Sequence, residues 1–128
     1  MTITPLYAGL LALWFLVLSY RVVQQRGHGV SLGHGTDEVL LRRIRGHGNF
    51  SEYVPLLLLL IGMLELGGLR AWAIHALGAT LLVARLLHGF AFAFSEGWKF
   101  GRFWGTALTF LLLAVAGGLC VWQALSRM

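Results

Sequence analysis

Arg42-Arg43-Ile44-Arg45-Gly46-His47-Gly48-Asn49-Phe50-Ser51-Glu52-Tyr53-Val54-Pro55 runs without a break into the apolar series Leu56 to Leu64. The second half of this stretch has the composition of a membrane span. The first half sets arginines, an amide and a carboxylate at helical spacing: Arg42, Arg45, Asn49, Glu52 and Tyr53 fall on one face. A charged side chain at the centre of a span costs ~2.5–3.5 kcal/mol on insertion scales, so such residues face a bundle interior or a wet cavity. The stretch therefore predicts a helix that enters a membrane with a polar inner face. Pro55 removes one helical hydrogen bond just beyond that face.

The rest of the chain agrees with a membrane setting. Of 128 residues, 58% are hydrophobic and 12% charged, with mean hydropathy +0.76. Soluble domains carry about 25% charged residues. A span needs ~20 residues of helix, and four spans with short connectors use nearly the whole chain. The expected fold is an all-α integral membrane bundle of four transmembrane helices in one domain, with spans at about 3–23, 38–66, 70–94 and 102–125. This excludes a separate soluble catalytic domain, a disordered chain and a soluble nucleic-acid module. The residues Met1–Pro5 lack a basic charge before the first apolar run, so that run is expected to be a retained span and not a signal peptide. Asp37 and Glu38 suit the start of the second helix, and Gly67–Gly68 a tight hairpin after it. Glu65 and Arg70 flank that hairpin at pairing distance in sequence.

The net charge of +5 and the pI of about 10.4 arise from basic residues beside the spans. Arg21, Arg26, Arg42, Arg43, Arg45, Lys99 and Arg102 cluster at the first and third connectors; the second connector and the termini hold only Arg70 and Arg127. The positive-inside rule then places the first and third connectors in the cytoplasm and both termini outside. Trp72, Trp98, Trp104 and Trp122 sit near span ends as interfacial anchors. Gly101/Gly105 and Ala114/Gly118 have the small-residue spacing that lets helices pack closely. Cys120 is the one cysteine, which excludes a disulfide within the chain. Gly-His-Gly recurs three times, but no carboxylate or cysteine completes a metal site beside it.

The third span supplies a second polar set, His75 and then Arg85 and His88 one turn apart. Arg85 and His88 lie at the same depth as the Arg45–Glu52 face. One reading is a structural staple in which Glu52 pairs with Arg85 or Arg45. Against it, arginines outnumber the single glutamate. Surplus guanidinium at a membrane cavity favours an anion, since its fork matches a carboxylate, while a lone carboxylate among them suits an ammonium. The expected ligand is small, polar and net anionic, with carboxylates and an amine.

The motif Arg42-x-x-Arg45-x-His47-x-Asn49-x-x-Glu52-Tyr53-x-Pro55, with Ala84-Arg85-Leu86-Leu87-His88 in span three, resembles the signature of the membrane-associated proteins in eicosanoid and glutathione metabolism, the MAPEG family. It looks most like the small bacterial members related to the microsomal glutathione transferases. The resemblance implies a homotrimer in the bacterial inner membrane, with glutathione as co-substrate between subunits near the cytoplasmic face. It implies a transferase or peroxidase reaction on a lipophilic small molecule reached through the lipid. By the same resemblance Arg26, Arg45, His47, Asn49, Glu52, Tyr53, Arg85 and His88 form the glutathione site, Arg45 taking a carboxylate and Glu52 the ammonium. Arg102, or else Lys99, is the expected thiol-activating residue. Two positions occupied by tyrosine in the leukotriene synthase are His88 and Phe92 here, so one hydroxyl contact is lost. Two other classes stand beside this one. A non-catalytic scaffold or binder of anionic lipid would use the basic connectors. A b-type haem or quinone protein would use His47 and His88.

Overall fold

Four apolar stretches, each closed by glycine or by a charged connector, become four helices in the computed structural model, which describes residues 1–128. They are α1 (Ile3–Arg26), α2 (Glu38–Leu66), α3 (Ala71–Ala93) and α4 (Lys99–Leu125), with no strand. The four-span, all-α expectation is borne out, and each helix is long and apolar enough to cross a membrane. At 1.5 Å per residue, even the 23-residue α3 reaches about 35 Å, more than the ~30 Å hydrocarbon core. Two ends differ from expectation. Helix α1 continues to Arg26, and α4 begins at Lys99, a turn earlier than residue 102. In the first turn of α4, Gly101 lies tight against the Leu87 carbonyl of α3. Helix α2 runs continuously through Pro55.

Helix α3 is the axis of the bundle. Both it and α2 pack on the other three, whereas α1 and α4 lie on opposite sides of the α2–α3 pair and do not touch. Leu57, Ile61 and Leu64 of α2 meet Ile74, Leu77 and Leu81 of α3 in the core, with Leu11 and Leu18 from α1 and Leu112 and Ala116 from α4. Only 26 of 128 residues are buried, and many large apolar side chains are exposed, among them Leu13, Leu16, Leu59, Val121 and Trp122. Such a surface is stable against hydrocarbon and not against water.

Polar side chains seal the helix ends. Asp37 caps α2 by accepting the Leu40 N–H at 2.9 Å. Gln25 donates to its other oxygen at 2.8 Å, and this bond, with the Leu40 bond behind it, holds the Asp37 carboxyl below its ordinary pKa. At the other end of the molecule Glu65 does not pair with Arg70. Its carboxylate instead accepts the backbone N–H groups of Thr2, Ile3 and Thr4 at 2.6, 2.8 and 2.7 Å. It thereby satisfies orphan donors at the start of α1, where the helix dipole favours negative charge. Gln123 donates to the Gly67 carbonyl at 2.8 Å and fastens α4 to the α2–α3 hairpin, in which Gly68 turns with φ +80°.

Candidate functional site

The polar face of α2 is brought against α3 and α4 by missing side chains. A Cβ on Gly46 would lie 2.7 Å from Cβ of Phe92, so only glycine lets the two helices approach there. A Cβ on Gly105 would meet the Ala84 carbonyl and the His88 nitrogen, each at 2.9 Å. The Gly101/Gly105 spacing is therefore used as a helix contact. The Ala114/Gly118 spacing is not, since Gly118 faces open space.

Two adjoining cavities result. The polar one, about 390 Å³, is lined by Ile44, Arg45, Gly48, Asn49 and Glu52 of α2, His88 and Phe92 of α3, and Arg102 of α4. The second, about 690 Å³, lies along α4 and is lined by Lys99, Arg102, Phe103, Thr106, Ala107 and Phe110, again with His88 and Phe92. The shared wall is His88, Phe92 and Arg102. His88 stacks on Phe92 at 4.7 Å, and the Arg102 guanidinium lies 5.1 Å from the same ring. Sequence reading missed Thr106 and Phe110, although with Arg102 they recur at helical spacing on one face of α4.

Arg85 is not on either wall. It is 1% exposed, and both terminal nitrogens of its guanidinium are spent inside the protein, its Nε being left without a partner. It donates to Asn49 Oδ1 at 2.8 Å, to the Gly105 carbonyl at 3.3 Å and to the Thr109 hydroxyl. The staple between helices is thus an arginine held by uncharged oxygens, and Glu52 takes no part in any ion pair. This bond fixes the Asn49 amide. A guanidinium has no acceptor, so the Asn49 oxygen must turn to it and the Asn49 NH₂ group is left for the cavity. Arg45, Glu52 and Arg102 are exposed, and their side chains make no hydrogen bond or ion pair. The cavity thus offers two arginine forks, an amide donor and one carboxylate.

The remaining expected residues lie elsewhere in the chain. Tyr53 packs against Phe110 at 6.0 Å, with the Arg85 guanidinium 5.9 Å over its ring. His47 faces α1 and stacks on Phe15 at 4.5 Å. It lines neither cavity, so it is not brought together with His88 as a haem ligand pair requires. Arg26 donates to the Ser31 and Gly33 carbonyls and folds the first connector over itself. No three metal-ligating side chains converge.

The sequence model of the MAPEG family matches residues 4–122. Among curated proteins the chain is similar to the inner membrane protein YecN of Escherichia coli K12 and to that of Escherichia coli O6:H1. Each is 37% identical over 91 residues, covering 70% of both chains. No solved structure matches.

Proposed function

The chain belongs to the MAPEG family, and from that premise we propose that it is a membrane glutathione transferase or peroxidase. Glutathione occupies the polar cavity, and a lipophilic electrophile or lipid peroxide occupies the larger one. The observation that supports this reading is Arg102 in the wall common to both cavities. A thiol held there meets its target across a single guanidinium. Lys99 lines the larger cavity alone, which favours Arg102 as the activating group.

In this reading Arg45 binds a glutathione carboxylate, Glu52 the ammonium, and the Asn49 NH₂ a carbonyl or carboxylate oxygen. Arg85 acts through Asn49. In the proposed homotrimer the peptide lies between neighbouring subunits, and Arg26 reaches it from the first connector. A free thiol near pKa 8.5 is mostly protonated at neutral pH. Lowering that value by about two pH units takes ~2.7 kcal/mol of preferential thiolate stabilisation, and a charge-assisted bond from Arg102 in a partly dry wall supplies most of it. The thiolate then forms a carbon–sulfur bond as the electrophile's leaving group departs, or takes the terminal oxygen of a hydroperoxide. In that case the O–O bond breaks, the alkoxide takes a proton to become an alcohol, and a second glutathione converts the sulfenic acid to the disulfide and water.

Calorimetric titration of the detergent-solubilised protein with glutathione tests the site. Saturable binding is expected, lost in Arg45→Ala and Glu52→Ala. In Arg102→Ala binding should persist while turnover falls about a hundredfold or more. Absence of binding at millimolar glutathione overturns the reading; unchanged turnover in Arg102→Ala overturns that assignment alone.

A further inference from the structure

A second basic site lies at the same end of the bundle, with Phe92 the one lining residue it shares with the polar cavity. A recess of about 130 Å³ is lined by Arg21 of α1, Val39, Arg42 and Arg43 of α2, Phe92 and Ala93 at the end of α3, and Phe94, Ser95 and Glu96 just beyond it. Two of its arginines are held in place by backbone, Arg21 also donating to Gln24 Oε1 at 2.8 Å. Arg43 donates to the Arg21 carbonyl at 2.9 Å, and Arg21 donates twice to the Ala93 carbonyl, at 3.2 and 2.9 Å. The Arg21 guanidinium lies 4.5 Å over the Phe94 ring. The one carboxylate on its wall is Glu96, 3.5 Å from Arg42 with its side chain 86% exposed. Asp37 acts on Arg43 from the start of α2 but is already engaged by Gln25 and the Leu40 N–H. Nε of Arg42 and Nε of Arg43 are buried without a hydrogen-bond partner. Three cations face one weakly held anion, and buried donors are left over, which native structures seldom tolerate.

A compact anion with several acceptor oxygens answers this arrangement, and guanidinium forks match phosphate. The recess has room for about four waters at ~30 Å³ each, enough for a phosphate group. The apolar surface beside it indicates what carries the phosphate. Val83, Leu86, Phe90 and Phe94 are all exposed and recur at i, i+3, i+7 and i+11, a stripe along α3 that ends beneath Arg21. We propose that Arg21, Arg42 and Arg43 seat the phosphate of a net anionic membrane phospholipid whose acyl chain lies on the Val83–Phe94 stripe. The two surplus positive charges disfavour the ammonium of a zwitterionic headgroup. This site is independent of glutathione.

The test is native mass spectrometry and thermal unfolding of the full chain in neutral detergent, with no glutathione present. The probes are phosphatidylglycerol, phosphatidylcholine of the same chain length, and inorganic phosphate. Phosphatidylglycerol should bind and stabilise selectively. Arg42→Gln/Arg43→Gln should weaken it by about fivefold for each charge removed. Glu96→Gln, at an exposed position, should tighten it by about fivefold. That gain cannot come from misfolding, so it decides the matter even where the double variant folds poorly. Equal binding of the two lipids, or no gain in Glu96→Gln, overturns the site. Stabilisation by inorganic phosphate equal to that by the lipid overturns the lipid as its occupant.

Discussion

Asn49 shows how much one buried donor can dictate. Its oxygen is claimed by Arg85 at 2.8 Å, so its amide hydrogens define what the cavity accepts. Asn49→Asp separates the two roles. A carboxylate answers the otherwise unneutralised Arg85 guanidinium, so the unfolding midpoint should hold or rise. The donor toward the ligand is lost, and glutathione affinity should fall about tenfold or more, the ~1.5–3 kcal/mol of a hydrogen bond to a charged group. Unfolding curves and calorimetry on the same variant check both halves. The cavity face of Arg45, Asn49 and Glu52 was legible in the sequence because a single helix carries it. The part played by Arg85 was not, since its acceptors Asn49 and Thr109 lie 36 and 24 positions away.

Between elements, glycine decides which helices touch. The backbone of α3 stands where a side chain on Gly105 would go, and backbone cannot rotate aside. Gly105→Ala should therefore cost about 1–3 kcal/mol as overpacking and should also weaken glutathione binding, because the Gly105 carbonyl helps hold Arg85. Gly118→Ala meets open space and should leave the unfolding midpoint unchanged or slightly higher, alanine being the better helix former. Thermal unfolding of the two variants side by side checks the contrast. Their spacing in sequence is the same kind of signal. Spacing reports that a close approach is allowed, and only a partner helix makes it happen.

For the whole molecule, the four spans were legible because hydrocarbon imposes their length and composition residue by residue. Contacts between distant ends were not, as Glu65 shows by passing over nearby Arg70 for the start of α1. The lysine and arginine bias predicts the sidedness, with the first and third connectors in the cytoplasm. In a Cys120→Ala background, Ser31→Cys should react with an impermeant thiol reagent from the cytoplasm and Ser126→Cys from outside. The reverse labelling would invert the orientation. The carboxylate of Glu65 has one more consequence, for biogenesis. Thr2 is translated 63 residues before the side chain that accepts its N–H. While the ribosome is still making α2, the leading turn of α1 has open amides and must stay near water. The first two helices are thus completed as a pair, and the hairpin is the smallest piece of this chain that can settle in the bilayer with that turn satisfied.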